Sequence, residues 1–406
     1  MELFKNTNYD FLGKKWPFII ASLVLTAAGF TSIALRGGLD YGIDFKGGAL
    51  MTVKFAYPPP LDKIRSAMSR LGDVSVQDFK GGTAQNEVAI GTELKEERQL
   101  NVNRQAMETI LASTFGQPNN GKLDFNNSSE QGLLDRLRDP LARNGVAMSE
   151  PQLQKLVHDI KTHVDGNYSG LITDFKQLSS VPGVNPGIMN TLQQECYLSP
   201  YHVAKVEMVG PKVGAELRTK AVLATLYALA GMLAYIAFRF EWIYGLGAVI
   251  ACFHDTLITI GVFSLFHEQI SMTVIAALLT LVGYSMNDTI VIFDRIRENL
   301  KISRREPLEQ VMNRAVNQTL SRTVMTSGLT FLTVIALFLF GGPVLHGFSF
   351  ALVCGIIVGT YSSVFIASPI VLFWHNYTDR PRKTPPAIPA APRVDTARKS
   401  PTKAVK

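Results

Sequence analysis

Charged residues are scarce in this chain. Asp, Glu, Lys and Arg make up 18% of its 406 residues, whereas roughly 25% is usual for a soluble globular domain. Hydrophobic residues account for 47%, and they are concentrated in long runs. A helix needs roughly 20 mainly apolar residues to cross a bilayer core of about 30 Å, and several runs reach or approach that length. The composition is therefore typical of a polytopic membrane protein.

Cysteines and catalytic motifs are also scarce. Of the three cysteines, only Cys196 lies outside the hydrophobic runs, so an intramolecular disulfide in an exposed domain is excluded. The stretch GQPNNGKL from Gly116 resembles a phosphate-binding loop but has Leu123 where Ser or Thr is required. The sequence shows no metal-ligand cluster and no nucleophile–base set. We therefore predict a protein that is not an enzyme and has no cofactor and no metal.

Six hydrophobic runs predict six transmembrane helices. They cover residues 16–35, 221–238, 243–266, 272–293, 324–340 and 348–374. Lys14 and Lys15 precede the first run, as they would in a signal peptide. However, that run is longer than the 7–15 residues of a signal h-region, and no clear cleavage site follows it. We interpret it as an uncleaved anchor, with a signal peptide as the alternative.

The distribution of basic residues predicts the orientation. The loops 267–271 and 341–347 contain no Lys or Arg, whereas residues 294–322 contain seven and the tail after Trp374 contains eight. Basic loops face the cytoplasm, so six spans place both termini there. Residues 1–15 then form a cytoplasmic N-terminus, and the basic tail 375–406 is predicted to be disordered. The net charge of +7 is explained by anionic inner-leaflet lipid, and we predict no nucleic-acid partner.

Residues 36–220 are predicted to form an extracytoplasmic α+β domain. Its pattern predicts a strand at 48–55, a helix at 60–72, strands at 74–79 and 86–92 joined by a turn, a helix at 96–115 and a strand at 201–209. This β-α-β-β-α-β order is the ferredoxin-like pattern. Residues 116–200 interrupt it, and we interpret them as a helical insertion with helices near 130–145 and 150–163. The five runs at 221–374 are predicted to form a helical bundle.

One carboxylate, Asp288, lies within the fourth hydrophobic run. An Asp at the centre of a span costs about 2.5–3.5 kcal/mol and normally faces a partner, water or a bundle interior. One alternative is that the span ends early, because Asp288 is followed after about 9 Å of helix by Asp294. The other is a proton carrier, since burial favours a neutral carboxyl group and a nearby cation favours a charged one.

Two further polar groups extend this candidate proton path. Arg322 begins the fifth span from the same predicted side, and Thr326 follows one turn later on the same face. Both could approach Asp288, although Arg322 could instead be a flanking residue that snorkels to the interface. His254 and Asp255 lie mid-span in the third run. They either extend the proton path or lock each other by a hydrogen bond, and the sequence leaves both readings open.

Glycines cluster just after the first span, in RGGLDYGIDFKGGALM. Gly42, Gly47 and Gly48 permit tight backbone turns at this position and are the candidate hinge residues. The segment VGPKVG at 209–214 precedes the second span. We expect these two segments to join the outer domain to the membrane bundle.

Several of these stretches together resemble the SecF family of bacterial Sec accessory subunits. They are DYGIDFKGGALM, VEMVGPKVGAELR, ACFHDTLITIGVFSL, GYSMNDTIVIFDRIREN, TLSRTVMTSGLT and GIIVGTYSSVFIASPIVL. The resemblance implies half of an RND-type transporter in the bacterial inner membrane, paired with SecD, which uses the proton motive force to promote preprotein translocation through SecYEG after the SecA step. It also implies YajC and YidC as candidate partners, beside membrane lipids.

The same resemblance implies roles for individual residues. In that family the acid of the fourth-span ND motif and the Arg and Thr of the fifth-span SRTxxT motif belong to the proton path. Here these are Asp288, Arg322 and Thr326. Residues 116–200 depart from the family pattern, since the usual SecF outer domain is much shorter.

Two other functions fit parts of the sequence. An RND-like exporter of lipids or small molecules would form a complete transport unit with twice as many spans. A translocon scaffold without ion coupling would tolerate neutralisation of Asp288, Arg322 and Asp255 together. Proton coupling itself sets a condition: one charge crossing 100 mV releases about 2.3 kcal/mol, whereas a complete two-state switch needs about 5.5 kcal/mol. Several protons, or a contribution from the pH gradient, are therefore required per stroke.

Overall fold

The computed structural model describes residues 7–72, 74–78, 86–94, 96, 99–116, 121–146, 148–239, 242–303 and 305–378. The predicted tail from residue 379 onward, the turn predicted between the second and third strands, and residues 1–6 of the predicted N-terminus lie outside the described residues.

The described residues form helices and strands in the following order. The helices are α1 (Lys15–Leu35), α2 (Ile43–Lys46), α3 (Leu61–Met68), α4 (Leu100–Phe115), α5 (Glu130–Arg143), α6 (Glu150–Tyr168), α7 (Pro186–Glu195), α8 (Pro211–Arg239), α9 (Trp242–Phe266), α10 (Met272–Ile302), α11 (Leu308–Phe340), α12 (Gly342–Ser362) and α13 (Ser368–Thr378). The strands are β1 (Gly48–Phe55), β2 (Val74–Asp78), β3 (Glu87–Glu93), β4 (Leu123–Asp124), β5 (Cys196–Tyr197) and β6 (Tyr201–Val209).

Six helical segments within the described residues are long and apolar enough to cross a membrane. Five lie in α1, α8, α9, α10 and α11, and the sixth combines α12, a π-helical turn at Ser363–Ala367 and α13. About half or more of the residues in α9, α10 and the α12–α13 segment are buried within the chain, whereas α1, α8 and α11 are mostly exposed. This is the predicted six-helix membrane architecture, with α9, α10 and α12 at its centre.

Helices α10 and α11 continue beyond the hydrophobic runs predicted at 272–293 and 324–340. The added turns are polar, and they hold the two helices together. Arg295 Nε and Asn299 Nδ2 on α10 donate to Gln318 Oε1 on α11, at 2.7 and 2.9 Å. Because these turns are polar, the hydrophobic run in each sequence is shorter than the helix that contains it.

The α+β domain contains a four-stranded antiparallel sheet in the order β2-β3-β1-β6. Side chains alternate between the two faces of a strand, so one face of β1 carries Ala49, Met51, Val53 and Phe55, all buried. These residues pack in one core with Ile64 and Met68 of α3 and Met107 and Leu111 of α4. The sheet thus has the predicted ferredoxin-like order, with both helices on one face.

The inserted segment between α4 and β6 has a hydrophobic core of its own. That core includes Leu133, Leu137, Leu153, Ile160 and Leu192 from α5, α6 and α7. The helix starts are capped by Ser129, by a Ser149–Gln152 capping box and by Asn185, as expected for these residue types. Helices α5 and α6 were expected from the sequence. Helix α7 and the short parallel pair β4–β5 were not predicted, because their hydrophobic patterns are too short to stand out.

Candidate functional site

Asp288 is buried inside the bundle. It is 3% exposed, and its Oδ2 accepts a hydrogen bond of 2.8 Å from Ser327 Oγ on α11. Helix α10 continues past it to Ile302, so Asp288 lies within the helix and not at its end. Residues three apart share a helix face, which brings Ser285 beside it, and Ser285 and the adjacent Thr289 are both buried. Asp288 therefore belongs to a buried polar layer and is not exposed to solvent.

Arg322 does not contact this acid directly. Within the described part of the chain, no ion pair of 4.0 Å or less joins Arg322 and Asp288. Positions 322 and 327 differ by about 140° around a helix, so Arg322 does not lie on the helix face through which Ser327 meets Asp288. Arg322 is exposed in a cleft that also contains Asp294 and Glu298.

Thr326 does not contact Asp288 either. It is exposed, and its hydroxyl donates to the carbonyl oxygen of Arg322 at 3.0 Å within its own helix. The expected direct contact of Asp288 with Arg322 and Thr326 is therefore absent from this conformation. Ser327, which the sequence reasoning missed, takes that position.

A second acid, Asp255 on α9, lies in a separate buried cluster. It is 1% exposed. Its Oδ1 lies 2.9 Å from His254 Nδ1, and its Oδ2 accepts hydrogen bonds from Ser285 Oγ at 2.6 Å and Ser362 Oγ at 2.8 Å. The hydrogen bond considered between His254 and Asp255 is thus present. Three helices, α9, α10 and α12, meet at this carboxylate.

Hydroxyl groups connect the neighbourhoods of the two acids. Thr289 Oγ1, beside Asp288 on α10, lies 3.0 Å from Ser363 Oγ. Ser363 follows Ser362 and begins the π-helical turn. The turn is stabilised by Ser368 Oγ, which donates to the carbonyl oxygen of Ser363 at 3.1 Å. Single π turns within α-helices are frequent at functional sites.

The missed residues share a pattern that a sequence can show. Ser285, Thr289, Ser327, Ser362 and Ser363 are hydroxyl residues inside hydrophobic runs. Ser285 and Asp288 are three residues apart, which places them on one helix face. The partners on other helices depend on how each helix is rotated in the bundle.

The glycine-rich segment forms a tight joint between the sheet and the membrane helices. Gly47 has φ +80° and Gly48 has φ +155°, in the region that favours glycine. A Cβ at Gly47 would lie 2.6 Å from Pro211 Cα at the start of α8. Gly42 N donates to the carbonyl oxygen of Ile270 at 2.9 Å. Gly42 and Gly47 are therefore packed against the ends of membrane helices, whereas Gly48 is packed against Thr92 and Glu93 of β3.

Asp44 fastens the same segment to α10. Its Oδ2 accepts a hydrogen bond of 2.8 Å from Met272 N, the first residue of that helix. A carboxylate at a helix N-terminus satisfies a free N–H group and interacts favourably with the helix dipole. The helix that carries Asp288 is thus bonded at its start to the segment that leads into β1.

At the other end of the bundle, the N-terminal segment lies against the start of α11. Asn313 Oδ1 accepts from Phe11 N at 2.9 Å, and its Nδ2 donates to Tyr9 O at 2.9 Å. Asn317, one turn later, makes a similar pair of bonds with the two backbone groups of Tyr9. The N-terminus and the α10–α11 connection are therefore on the same side of the bundle, opposite the sheet.

Across the described ranges, no group of three or more His, Cys, Asp or Glu side chains is placed to hold a metal ion.

Comparison with protein families gives two matches. Residues 190–377 match the family described as protein export membrane protein SecD/SecF, C-terminal. Residues 35–56, which contain the candidate hinge glycines, match the SecD/SecF GG motif.

Curated relatives match along nearly the whole chain. A protein translocase subunit SecF from Koribacter versatilis is 48% identical over 405 residues, which is 97% of this chain and 98% of the relative. A protein translocase subunit SecF from Calditerrivibrio nitroreducens is 37% identical over 378 residues, covering 91% of this chain and 96% of the relative.

Among solved structures, the chain is similar to SecDF of Thermus thermophilus, a translocon-associated membrane protein. The TM-score is 0.62 with 30% sequence identity, and the match covers 91% of this chain. A super-membrane-facing form of SecDF gives a TM-score of 0.52 with 29% identity over 92% of this chain. The present chain spans only 39% and 40% of those two SecDF chains.

Proposed function

Because the chain belongs to the SecF family of protein translocase subunits, we propose that it acts in Sec-dependent protein export as a transport subunit and not as an enzyme. In this proposal it pairs with SecD in the bacterial inner membrane, and the proton motive force drives its movement. The observation that carries the proposal is Asp288, an acid buried in a membrane bundle with a hydroxyl partner.

The chemistry of a buried acid supports proton coupling. A charged carboxylate needs hydrogen bonds and a nearby cation to remain stable away from water. Ser327 provides a hydrogen bond for Asp288, and in the proposal Arg322 of α11 is the cation. When Asp288 takes up a proton, its charge disappears and with it the attraction to Arg322. The contact between α10 and α11 then weakens, and the two helices shift. Thr326, whose hydroxyl is bonded to the Arg322 backbone, lies on the α11 face that Arg322 occupies.

The tight joint gives this movement a route to the sheet. Helix α10 is bonded to Asp44 at its start, and Gly47 lies against the start of α8. A displacement of α10 therefore moves the segment that leads into β1. We propose that the α+β domain moves on the outer side of the membrane and thereby helps to pull the preprotein forward.

The orientation belongs to the same proposal. The N-terminal segment and the α10–α11 connection lie on one side of the bundle, and that connection carries many basic residues. Basic segments face the cytoplasm, so both termini are proposed to be cytoplasmic. Anionic lipids are then partners of this side, and SecYEG with SecA, YajC, YidC and preproteins are the proposed protein partners.

Replacement of Asp288 tests the proposal. Asp288→Asn, co-expressed with SecD, should lower the proton-gradient-dependent part of preprotein export in inner-membrane vesicles at least about tenfold, equivalent to 1.4 kcal/mol. Asp139→Asn is the control, because Asp139 is an exposed carboxylate on α5, outside the membrane bundle, and it should export normally. Co-purification with SecD should be unchanged in both variants. Normal proton-dependent export by an assembled Asp288→Asn complex would contradict the proposal.

A further inference from the structure

Asp255 is a buried acid without a permanent cation beside it. In the parts of the chain that the structure covers, its one ion-pair partner within 4.0 Å is His254, and no Lys or Arg side chain lies that close. Its other two hydrogen-bond partners, Ser285 and Ser362, are neutral hydroxyls. An uncompensated charge buried away from water is strongly unfavourable. The charge of Asp255 therefore has to be balanced by a proton.

His254 provides the place for that proton. One hydrogen must lie between His254 Nδ1 and Asp255 Oδ1, which are 2.9 Å apart. If that hydrogen is the only one, the pair carries one negative charge. One additional proton makes the pair neutral overall, either as an imidazolium with a carboxylate or as a neutral imidazole with a carboxylic acid. His254 Nε2 is buried and has no hydrogen-bond partner, so no acceptor holds a proton on that nitrogen.

The other titratable groups near the pair are neutral in their ordinary states. Cys252 lies one turn earlier on α9, and Tyr361 on α12 faces the His254 ring at 6.3 Å between ring centroids. The Tyr361 hydroxyl is bonded to Ser22 on α1 at 2.9 Å. From α10, the group that meets the carboxylate is Ser285. Of the groups that α1, α9, α10 and α12 present to Asp255, His254 is the one that can become positive.

We propose that Asp255 and His254 form a second proton-binding site, separate from Asp288, and that Ser362 is a positioning residue that conveys its state to α12. The proposal rests on the proton coupling proposed above and extends it to a second carrier. By helix rise, Asp255 lies about 16 Å from the sheet-side end of α9, and Asp288 lies about 24 Å from the sheet-side end of α10. A proton that enters from the sheet side thus meets Asp255 first.

The hydrogen bond between Ser362 and Asp255 depends on the protonation state of Asp255. With Asp255 ionised, Ser362 Oγ donates to Oδ2 at 2.8 Å. A protonated Oδ2 would itself donate to one of its two hydroxyl partners. In the proposal that partner is Ser362, which then accepts the bond and directs its own hydrogen to Gly359 O, 3.2 Å away. Ser362 directly precedes the π-helical turn, and Ser363, the first residue of that turn, bonds to Thr289 beside Asp288. Two consecutive serines therefore contact the surroundings of both acids.

The helices around Asp255 are closely packed, so a change in the hydrogen bonds of Ser362 displaces neighbouring atoms. A Cβ added at Gly359 would lie 3.1 Å from Ser285 Cβ and 3.5 Å from Asp255 Oδ2, so α12 and α10 are in direct contact at this level. A change in the hydrogen bonds of Ser362 is therefore transmitted to α12 and its π turn. One proton crossing 100 mV releases less energy than a complete two-state switch needs. A second site supplies a second proton per cycle.

Infrared titration of the full-length chain assembled with SecD in liposomes tests the second site. The difference between wild type and Asp255→Asn should contain a protonated-carboxyl band that titrates with pH, and the difference between wild type and Asp288→Asn should contain another. Thr256→Val is the matched control, because Thr256 neighbours Asp255 but its hydroxyl donates to Cys252 O. It should remove neither band. A difference between wild type and Asp255→Asn that contains neither a titrating carboxyl band nor a titrating imidazole band would overturn the proposal.

Two variants that retain Asp255 test the same site if Asp255→Asn does not fold. His254→Gln and Ser362→Ala should each change the proton affinity of the Asp255 band about tenfold, which is one pH unit, and Thr256→Val should not. An unchanged titration midpoint in both variants would reject the site and the role of Ser362. If the Asp255 band titrates but the Asp288 band does not, Asp255 is a proton-binding site and the proposed role of Asp288 as a proton carrier is wrong. The reverse result rejects only the second site.

Discussion

The joint at Gly47 can be tested with a pair of glycine variants that separate backbone conformation from packing. Gly47 has φ +80° and Gly37 has φ +73°, so Ala at either position costs about 1–2 kcal/mol from the left-handed conformation alone. At Gly37 nothing lies within 4 Å of the added Cβ, whereas at Gly47 the Cβ would lie 2.6 Å from Pro211 Cα and 2.8 Å from Pro211 N. Both of these atoms belong to the backbone, so relief requires the start of α8 to move.

This packing conflict adds about 1–3 kcal/mol, the usual cost of overfilling a packed site. We therefore expect Gly37→Ala to be destabilised by about 1–2 kcal/mol and Gly47→Ala by about 2–5 kcal/mol. A loss of 1 kcal/mol lowers the unfolding midpoint by about 2–4 °C in domains of 150–250 residues, so Gly47→Ala should unfold several degrees below Gly37→Ala.

The assay is thermal unfolding of the two purified full-length variants, followed by proton-dependent export in vesicles. Gly47→Ala should also reduce export more than Gly37→Ala does, because it displaces α8 from the segment that leads into β1. Equal midpoints for the two variants would show that the contact between Gly47 and Pro211 does not constrain the protein, and the proposed route from α10 to the sheet would lose its support.

Two further predictions concern regions outside the bundle centre. Burial lowers the pKa of His202, whose Nδ1 lies 2.6 Å from Asn126 O. The unfolded chain, with a pKa of about 6.5, therefore binds more protons than the folded one, and stability is lost as the pH falls below about 6.5. Hydrogen exchange of β6 should be faster at about pH 5.5 than at about pH 7.5 after correction for intrinsic rates, and His202→Gln should remove most of that difference. Asn313→Leu removes two short hydrogen bonds to Tyr9 and Phe11, worth about 0.5–1.5 kcal/mol each. The amides of residues 8–12 should then exchange about 5–150-fold faster, and no acceleration would show that these bonds do not hold the segment.

Much of the fold follows from the sequence because two periodicities dominate it. Long hydrophobic runs predict spanning helices, and alternation in GALMTVKF predicts β1. These two patterns do not reveal helical turns whose side chains are mainly polar. Helix α11 begins at Leu308, well before the hydrophobic run at 324, because its first turns bind the N-terminal segment through polar side chains such as Asn313.

The candidate site was predictable only in part, for a different reason. A carboxylate inside a hydrophobic run is visible in the sequence, so Asp288 and Asp255 stand out. Their partners depend on helix rotation. Ser327 is hydrogen-bonded to Asp288, whereas Arg322, five residues earlier, is exposed. The two positions are about 7.5 Å apart along the helix, and the sequence alone does not show which of them meets α10 at the level of Asp288.

Helix α10 is the element on which the separate contacts converge. Through Ser285 it is bonded to Asp255 of α9, through Asp288 to Ser327 of α11, and through Met272 to Asp44 of the glycine-rich segment. A helix is stiff along its axis, because each turn is hydrogen-bonded to the next. A shift of α10 against α9 or α11 must therefore break a contact at one of the acids and move Met272 at the same time. This is why we assign the link between proton binding and the sheet to α10, which carries Asp288 and is hydrogen-bonded to both Asp255 and Asp44.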